Sequence, residues 1–215
     1  MNPNEIIPWM DNKEIDLVLK YLNQKPNSTM LEWGCGGSTL LFPKHVKKYV
    51  SIEHNLDWYV DVQKAIEINN LNNVDFYLVD IPKGVPTKRE DFYDKWTNQI
   101  HELSRQNLNT VPELDNCIYP KDRYIWFDYL DVIDEIGIKK YDFVFIDGRA
   151  RSDCAFKALQ YIHDDSVVFI HDFWGREEYH AVLKYYDVVD AVKDTLIPPA
   201  GMTIVALRRK VDEEN

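Results

Sequence analysis

The sequence predicts an α/β fold, a parallel sheet covered by helices on both faces and closed by an antiparallel pair, and three observations predict it. Helix-like and strand-like segments alternate along the chain, the pattern of successive βαβ units. The stretches "YDFVFIDG" and "DSVVFIHDF" are nearly continuous apolar runs, as expected of strands buried on both faces. The strand "MLEWG" runs directly into a glycine-rich turn, "GCGGST", at the kind of place where open parallel sheets bind ligands.

Each element can be justified in turn. "EIDLVLKYLNQ" places Ile15, Val18, Leu19 and Leu22 on one helical stripe, and "KPNST" breaks it. "MLEWG" is the first strand and "YVSIEH" the second. Asn55 or Asp57 then caps a helix through "WYVDVQKAIEINN". "VDFYLVD" is the third strand, "YDFVFIDG" and "DSVVFIHDF" the fourth and fifth. Between the last two, Cys154, Ala158, Leu159 and Ile162 have helical spacing. The end, "DVVDAVKDTLIPPAGMTIVALRRK", reads as two strands joined by a "PPAG" turn. One segment interrupts the alternation. From about 81 to 138, where a compact fold needs only a helix, the chain is rich in aromatic and polar residues, as in "DFYDKWTNQIHEL" and "YPKDRYIWFDYL". Connections of that length commonly serve as lids or binding loops, and an ordered, substrate-facing insertion in a single domain spanning 1–215 is expected.

Composition narrows the function. A chain of 215 residues suits one domain, burying roughly 70% of its unfolded surface. Its content of 45% hydrophobic and 28% charged residues is that of a soluble globular protein. No apolar run reaches membrane-spanning length and the N-terminus lacks the pattern of a signal peptide, so a cytoplasmic protein is expected. Cys35, Cys117 and Cys154 are too few and scattered for a disulfide framework or a zinc site. A net charge of -11 argues against a nucleic-acid partner, since "GRAR" at 148–151 is the nearest approach to a basic cluster.

The glycine turn raises the question of its ligand. Gly34 and Gly36 fit the opening of a dinucleotide fingerprint, but Thr39 stands where its third glycine belongs. Glu32, two residues ahead of Gly34, would repel a pyrophosphate. A cationic ligand suits it better. S-adenosylmethionine is nucleoside-like, has no phosphates, and carries an ammonium and a sulfonium. Glu32 is expected to help hold that ammonium, directly or through water, while Gly36, Gly37 and Ser38 lie close against the ligand. Glu53 ends the second strand nineteen residues after Gly34, where a carboxylate can accept both ribose hydroxyls. Asp80 is placed to bond the adenine amino group. His54 or Trp58 can pack against adenine or ribose, although Trp58 suits a core aromatic as well.

Together, "LEWGCGGST", "SIEH" and "YDFVFIDGRAR...DSVVFIHDF" resemble the class I S-adenosylmethionine-dependent methyltransferases over roughly residues 28–210. The wording is most similar to a eukaryotic and viral group that includes plant proteins with "LEWGSGGST" and methyltransferase domains of glycan-building proteins from large algal viruses. The resemblance implies a Rossmann-like, seven-stranded, mostly parallel sheet with a reversed last strand. It also implies transfer of a methyl group to a hydroxyl of a sugar, oligosaccharide or nucleotide sugar. A homo-oligomer or association with glycosyltransferases, in the host cytoplasm for a viral protein, accompanies that reading.

An alcohol acceptor must lose a proton, and the candidates stand at the ends of strands four and five: Asp147, His171 and Asp172. Two mechanisms fit them. His171 or Asp147 serves as general base, its partner fixing orientation; or Asp147 and Asp172 hold Mg²⁺ or another divalent cation that acidifies the hydroxyl. Arg149 and Arg151 are candidates for holding the substrate. His180, His45, His101 and His163 read as surface histidines. Tyr93, Trp96, Tyr124, Trp126 and Tyr129 could stack on sugar faces or form a small satellite core. The alternatives are a metal-dependent methyltransferase of a phenolic small molecule, an NAD-dependent oxidoreductase, and a non-catalytic nucleotide-binding module.

Overall fold

The computed structural model describes residues 5–79, 126–192 and 203–211. In chain order its elements are α1 (Asn12–Leu22), β1 (Thr29–Trp33), α2 (Ser38–Leu41), β2 (Lys48–Glu53), α3 (Leu56–Ile68), β3 (Val74–Leu78), α4 (Phe127–Glu135), β4 (Tyr141–Ile146), α5 (Arg151–Ala158), β5 (Ile162–Ile170), β6 (Tyr186–Ala191) and β7 (Val205–Arg209). The seven strands form one sheet in the order β3-β2-β1-β4-β5-β7-β6. β1 to β5 pair in parallel, and β7 runs antiparallel to both β5 and β6. The terminal pair expected from the sequence is therefore present, with β7 as the reversed strand inserted between β5 and β6. Asp80, Tyr93, Trp96, His101, Cys117, Tyr124, the "PPAG" turn and most of the 81–138 segment lie outside the described residues.

Register explains the site. Ile52, Trp33, Ile146 and Ile170 lie in one row across β2, β1, β4 and β5. All four point into the larger core with Tyr129, Ile133 and Ala155. The side-chain period of two sends the preceding row, Ser51, Glu32, Phe145 and Phe169, to the opposite face. There Phe145 and Phe169 meet Leu17, Val18 and Leu22 of α1. The residues that follow the first row are Glu53, Gly34, Asp147 and His171. Parallel pairing thus brings them to the same carboxyl edge of the sheet.

Three local features differ from expectation, and one open alternative is decided. α1 is rotated by about one position: Glu14, Leu17, Val18 and Leu22 are buried, whereas Ile15 and Leu19 are only half-buried. Asp11 caps this helix and exchanges hydrogen bonds with Glu14 in a capping box. Asn55, rather than Asp57, caps α3 by accepting from the Trp58 amide at 3.0 Å. α5 ends at Ala158, and Ile162 opens β5 instead of continuing the helix. Trp126 and Tyr129 belong to the main core rather than to a sugar platform or satellite cluster. Their segment forms the helix that covers the sheet ahead of β4, and the Tyr129 carbonyl accepts from Trp33 Nε1 at 3.1 Å.

Candidate functional site

A cavity of about 820 Å³ opens at the carboxyl edge of the sheet, within the range of small-molecule sites. Gly34–Ser38, Glu53–Asn55, Asp57, Trp58 and Asp61 line one side; Asp147–Arg149, Arg151, His171 and Asp172 line another; Ile7–Met10 close over the turn. Two glycines are required by close backbone approach. Gly34 has φ +92°, and a Cβ there would fall 2.3 Å from the Gly148 Cα, so the turns after β1 and β4 touch backbone to backbone. A Cβ on Gly37 would fall 2.0 Å from the Ile7 carbonyl carbon and the Pro8 nitrogen.

Glu32 belongs to the turn rather than to the cavity wall. It is fully buried, and its carboxylate accepts from Ser38 Oγ at 2.5 Å, Thr39 Oγ1 at 2.6 Å and Ser51 Oγ at 2.6 Å. Burial pushes its pKa up to about 7 against the pull of those hydroxyls. The expected direct hold on a ligand ammonium is not what the geometry offers: Glu32 has no exposed surface, does not line the cavity, and ties the turn to β2 through Ser51. Thr39, which breaks the dinucleotide fingerprint, serves twice here, since its Oγ1 also accepts from the Gly36 amide at 2.9 Å.

Glu53 does face the cavity. Its Oε1 accepts from the His54 and Asn55 amides at 2.9 and 2.8 Å, and its Oε2 from the Cys35 amide at 3.0 Å. Burial would raise its pKa, but the neighbouring His54 ring and these amides outweigh burial and hold it below the ordinary carboxylate value. Because Oε2 accepts only one of these bonds, it retains acceptor capacity for a ligand hydroxyl. His54 is packed edge-on against Trp126 and Tyr129. Trp58 lines the cavity and also packs on the small core of Ile6, Cys35, Leu40, Val62 and Ala65, its Nε1 donating to the Cys35 carbonyl at 2.6 Å.

The strand ends of β4 and β5 carry a dense charge cluster. Asp147 Oδ1 lies 3.1 Å from His171 Nδ1 and 3.0 Å from Arg151 Nη2. Asp172 Oδ2 meets Arg151 Nη1 at 3.1 Å and Arg176 Nη2 at 3.3 Å. His171 Nε2 faces Glu14 Oε1 at 3.4 Å. Burial would lower the His171 pKa, but the carboxylates of Asp147, Glu14 and Asp172 raise it to about 10. Both ring nitrogens are thus turned to carboxylates, which leaves no lone pair for an acceptor hydroxyl. Burial pushes the Asp147 pKa up, and the Arg151 and His171 charges outweigh that and lower it. Asp172 holds φ +56°, a left-handed backbone that is uncommon outside glycine and occurs at functional sites.

Arg151 is not available to a substrate. It is 9% exposed, its Nε donates to the Gly148 carbonyl at 3.0 Å, its Nη2 to the Asp147 carbonyl at 3.2 Å, and its Nη1 to the His171 carbonyl. Arg149, by contrast, is exposed at the cavity rim. His180 sits against the Phe173 ring, His163 pairs with Asp142 and His45 with Asn23, all outside the cavity lining. Glu14, Arg176 and the Ile7–Met10 wall had no place in the sequence reading. Only Glu14 carried a signal, the Asp-x-x-Glu capping pattern at Asp11.

The donor set tests a divalent cation. Ligand atoms of Asp147, His171 and Asp172 lie within 4.8 Å of one another. Both carboxylates, however, already carry the Arg151 guanidinium. At an effective dielectric constant of about 20, a doubly charged ion about 5 Å from that group would be repelled by roughly 7 kcal/mol, which offsets part of the attraction of the two carboxylates. As arranged, these residues do not fit a metal ion.

No protein-family model matches the chain, and no curated protein matches it. Solved structures do. A methyltransferase-like protein from Silicibacter pomeroyi superposes with a TM-score of 0.59 at 17% identity, over 95% of this chain and 90% of that one. The O-methyltransferase from Bacillus cereus, in complex with S-adenosylhomocysteine (SAH), gives 0.63 at 13% identity over 95% and 84%. TomG, an O-methyltransferase from Streptomyces achromogenes in complex with S-adenosylmethionine, gives 0.59 at 12% identity over 94% and 82%. The fold is a methyltransferase fold. Within this fold the glycine turn, Glu53 and Asp147 border one cavity. Among the described residues no helix is long and apolar enough to cross a membrane.

Proposed function

We propose that the protein is an S-adenosylmethionine-dependent O-methyltransferase whose acceptor is a hydroxyl of a sugar or glycan. The observation that carries the reading is the charge of the cavity. Among the described residues Glu53, Asp57, Asp61, Asp147 and Asp172 line it against Arg149 and Arg151 as the only arginines or lysines, an acidic surface suited to a cationic nucleoside and hostile to a pyrophosphate. The fold similarity supports the same cofactor class, since two of the matching structures were solved with S-adenosylmethionine or SAH.

The cofactor supplies an electrophilic methyl group on a sulfonium. Glu53 would hold the ribose hydroxyls through Oε2, and Trp58 and His54 would border the adenosine. Asp147, partly exposed at the cavity, would accept the proton of the acceptor hydroxyl as its oxygen takes the methyl group from the sulfonium. Its lowered pKa makes it a weak base, adequate because that proton becomes acidic only as bonding advances. His171 orients Asp147 through Nδ1 and does not itself abstract the proton. Trp9, 84% exposed on the cavity wall, offers an aromatic face to a sugar ring. A small-molecule hydroxyl is the second reading, motivated by TomG, an O-methyltransferase involved in tomaymycin synthesis.

Calorimetric titration with SAH and, in parallel, with NAD tests the cofactor. Binding of SAH alone is expected; binding of NAD alone would overturn the reading. Transfer of labelled methyl groups to sugars but not to catechols would then separate the two acceptor classes.

A further inference from the structure

We infer that Arg151 occupies the electrostatic position of a divalent cation at this site, so that methyl transfer here is independent of metal. The inference deepens the methyltransferase reading and rests on it for the reaction, but its binding test stands apart from turnover. Arg151 lies between the two carboxylates that would be metal ligands, at 3.0 Å from Asp147 and 3.1 Å from Asp172. Its head is not a mobile surface cation. Three backbone carbonyls, those of Asp147, Gly148 and His171, accept from it. The Tyr179 ring lies 5.7 Å from the guanidinium carbon.

The local sequence builds this arrangement. Ala150 adopts φ +50° immediately ahead of α5, which turns the chain so that Arg151, the first residue of the helix, points back at the strand ends of β4 and β5. Arg176 adds a second guanidinium on Asp172 at 3.3 Å. A guanidinium cannot be deprotonated near neutral pH, so the positive charge between the carboxylates is permanent. Like a bound ion, it fixes Asp147 and Asp172 relative to each other and to the cavity. Unlike an ion, it cannot coordinate the acceptor oxygen, so proton removal falls to a carboxylate. Arg151 is thus a positioning residue.

The test is Mn²⁺ binding, followed by electron paramagnetic resonance on the SAH-saturated protein, for the wild type and for Arg151→Gln. The wild type is expected to bind Mn²⁺ no more tightly than about 1 mM, and Arg151→Gln to gain at least about tenfold in affinity as the acid pair loses its built-in counter-charge. A residue with a merely structural role would produce no such gain. Wild-type turnover is expected to survive EDTA. Tight Mn²⁺ binding by the wild type that Asp172→Asn abolishes, or turnover lost to EDTA and restored by Mg²⁺, would overturn the inference. Both wild-type measurements decide it even where Arg151→Gln does not fold. Absence of SAH binding and turnover would count against the methyltransferase reading, while the Mn²⁺ titration of the SAH-free protein would still report on Arg151.

Discussion

Two buried glutamates on adjacent parallel strands, Glu32 and Glu53, answer to different partners, and the contrast separates frame from function. Among the described residues Glu32 is held by hydroxyls with no cation against it, and burial raises its pKa to about 7. Glu53 sits among three backbone amides and the His54 ring and has its pKa lowered. Hydroxyls can rotate to serve a neutral or an ionised carboxyl equally, whereas fixed amide donors favour the anion. The first site therefore tolerates loss of charge and ties the turn together; the second preserves a charge at the cavity.

The largest effect expected from this contrast is on stability against pH. Glu32 binds its proton more tightly folded than unfolded, so its contribution is complete below its ordinary value of 4.5 and is lost as pH rises through about 7. Wild type should lose roughly 3 kcal/mol through this group between those limits, and Glu32→Gln should abolish that part of the slope in denaturant unfolding at pH 5 and pH 8. Parallel pH dependences for the two proteins would break the comparison.

Next in size is Glu53→Gln, expected to weaken SAH binding by about 10- to 100-fold through loss of a charged hydrogen bond, read by calorimetry. Unchanged affinity would remove Glu53 from the ligand site. Smallest is Trp58→Phe, which removes the donor to the Cys35 carbonyl beside Glu53 and should cost about 1 kcal/mol of stability. A markedly larger loss would show that Trp58 is mainly a core residue.

How far the sequence could be read follows from the same residues. Strand ends of parallel βαβ units are written locally, as apolar runs that stop at Gly34, Glu53, Asp147 and His171, and register then places those stops together. Which side of the sheet a side chain takes decides its role, and that is settled by packing. Glu32 falls in the row facing α1, so a residue that looked like a ligand contact is a buried tie. Arg151 stood as a candidate for holding the substrate, yet three carbonyls and two carboxylates capture it. Glu14 was hidden by a helical stripe displaced by one residue. Arg176 reaches Asp172 four residues away in a segment of turns after β5, where the i,i+4 rule of helices gives no expectation.

The Ile7–Met10 wall carries a consequence for how a ligand would be held. Ile6 is buried with Cys35 and Leu40, and Met10 with Leu17 and Phe42, while Ile7 and Trp9 between them are largely exposed. The segment is a clasp, pinned at both ends by apolar side chains to two separate clusters and crossing over Gly37. Such a clasp opens at a lower free energy than the sheet beneath it. Any ligand touching its inner side binds only the closed population, so substitutions at Ile6 or Met10, whose apolar side chains anchor the segment, would weaken affinity in proportion to the closed fraction they remove.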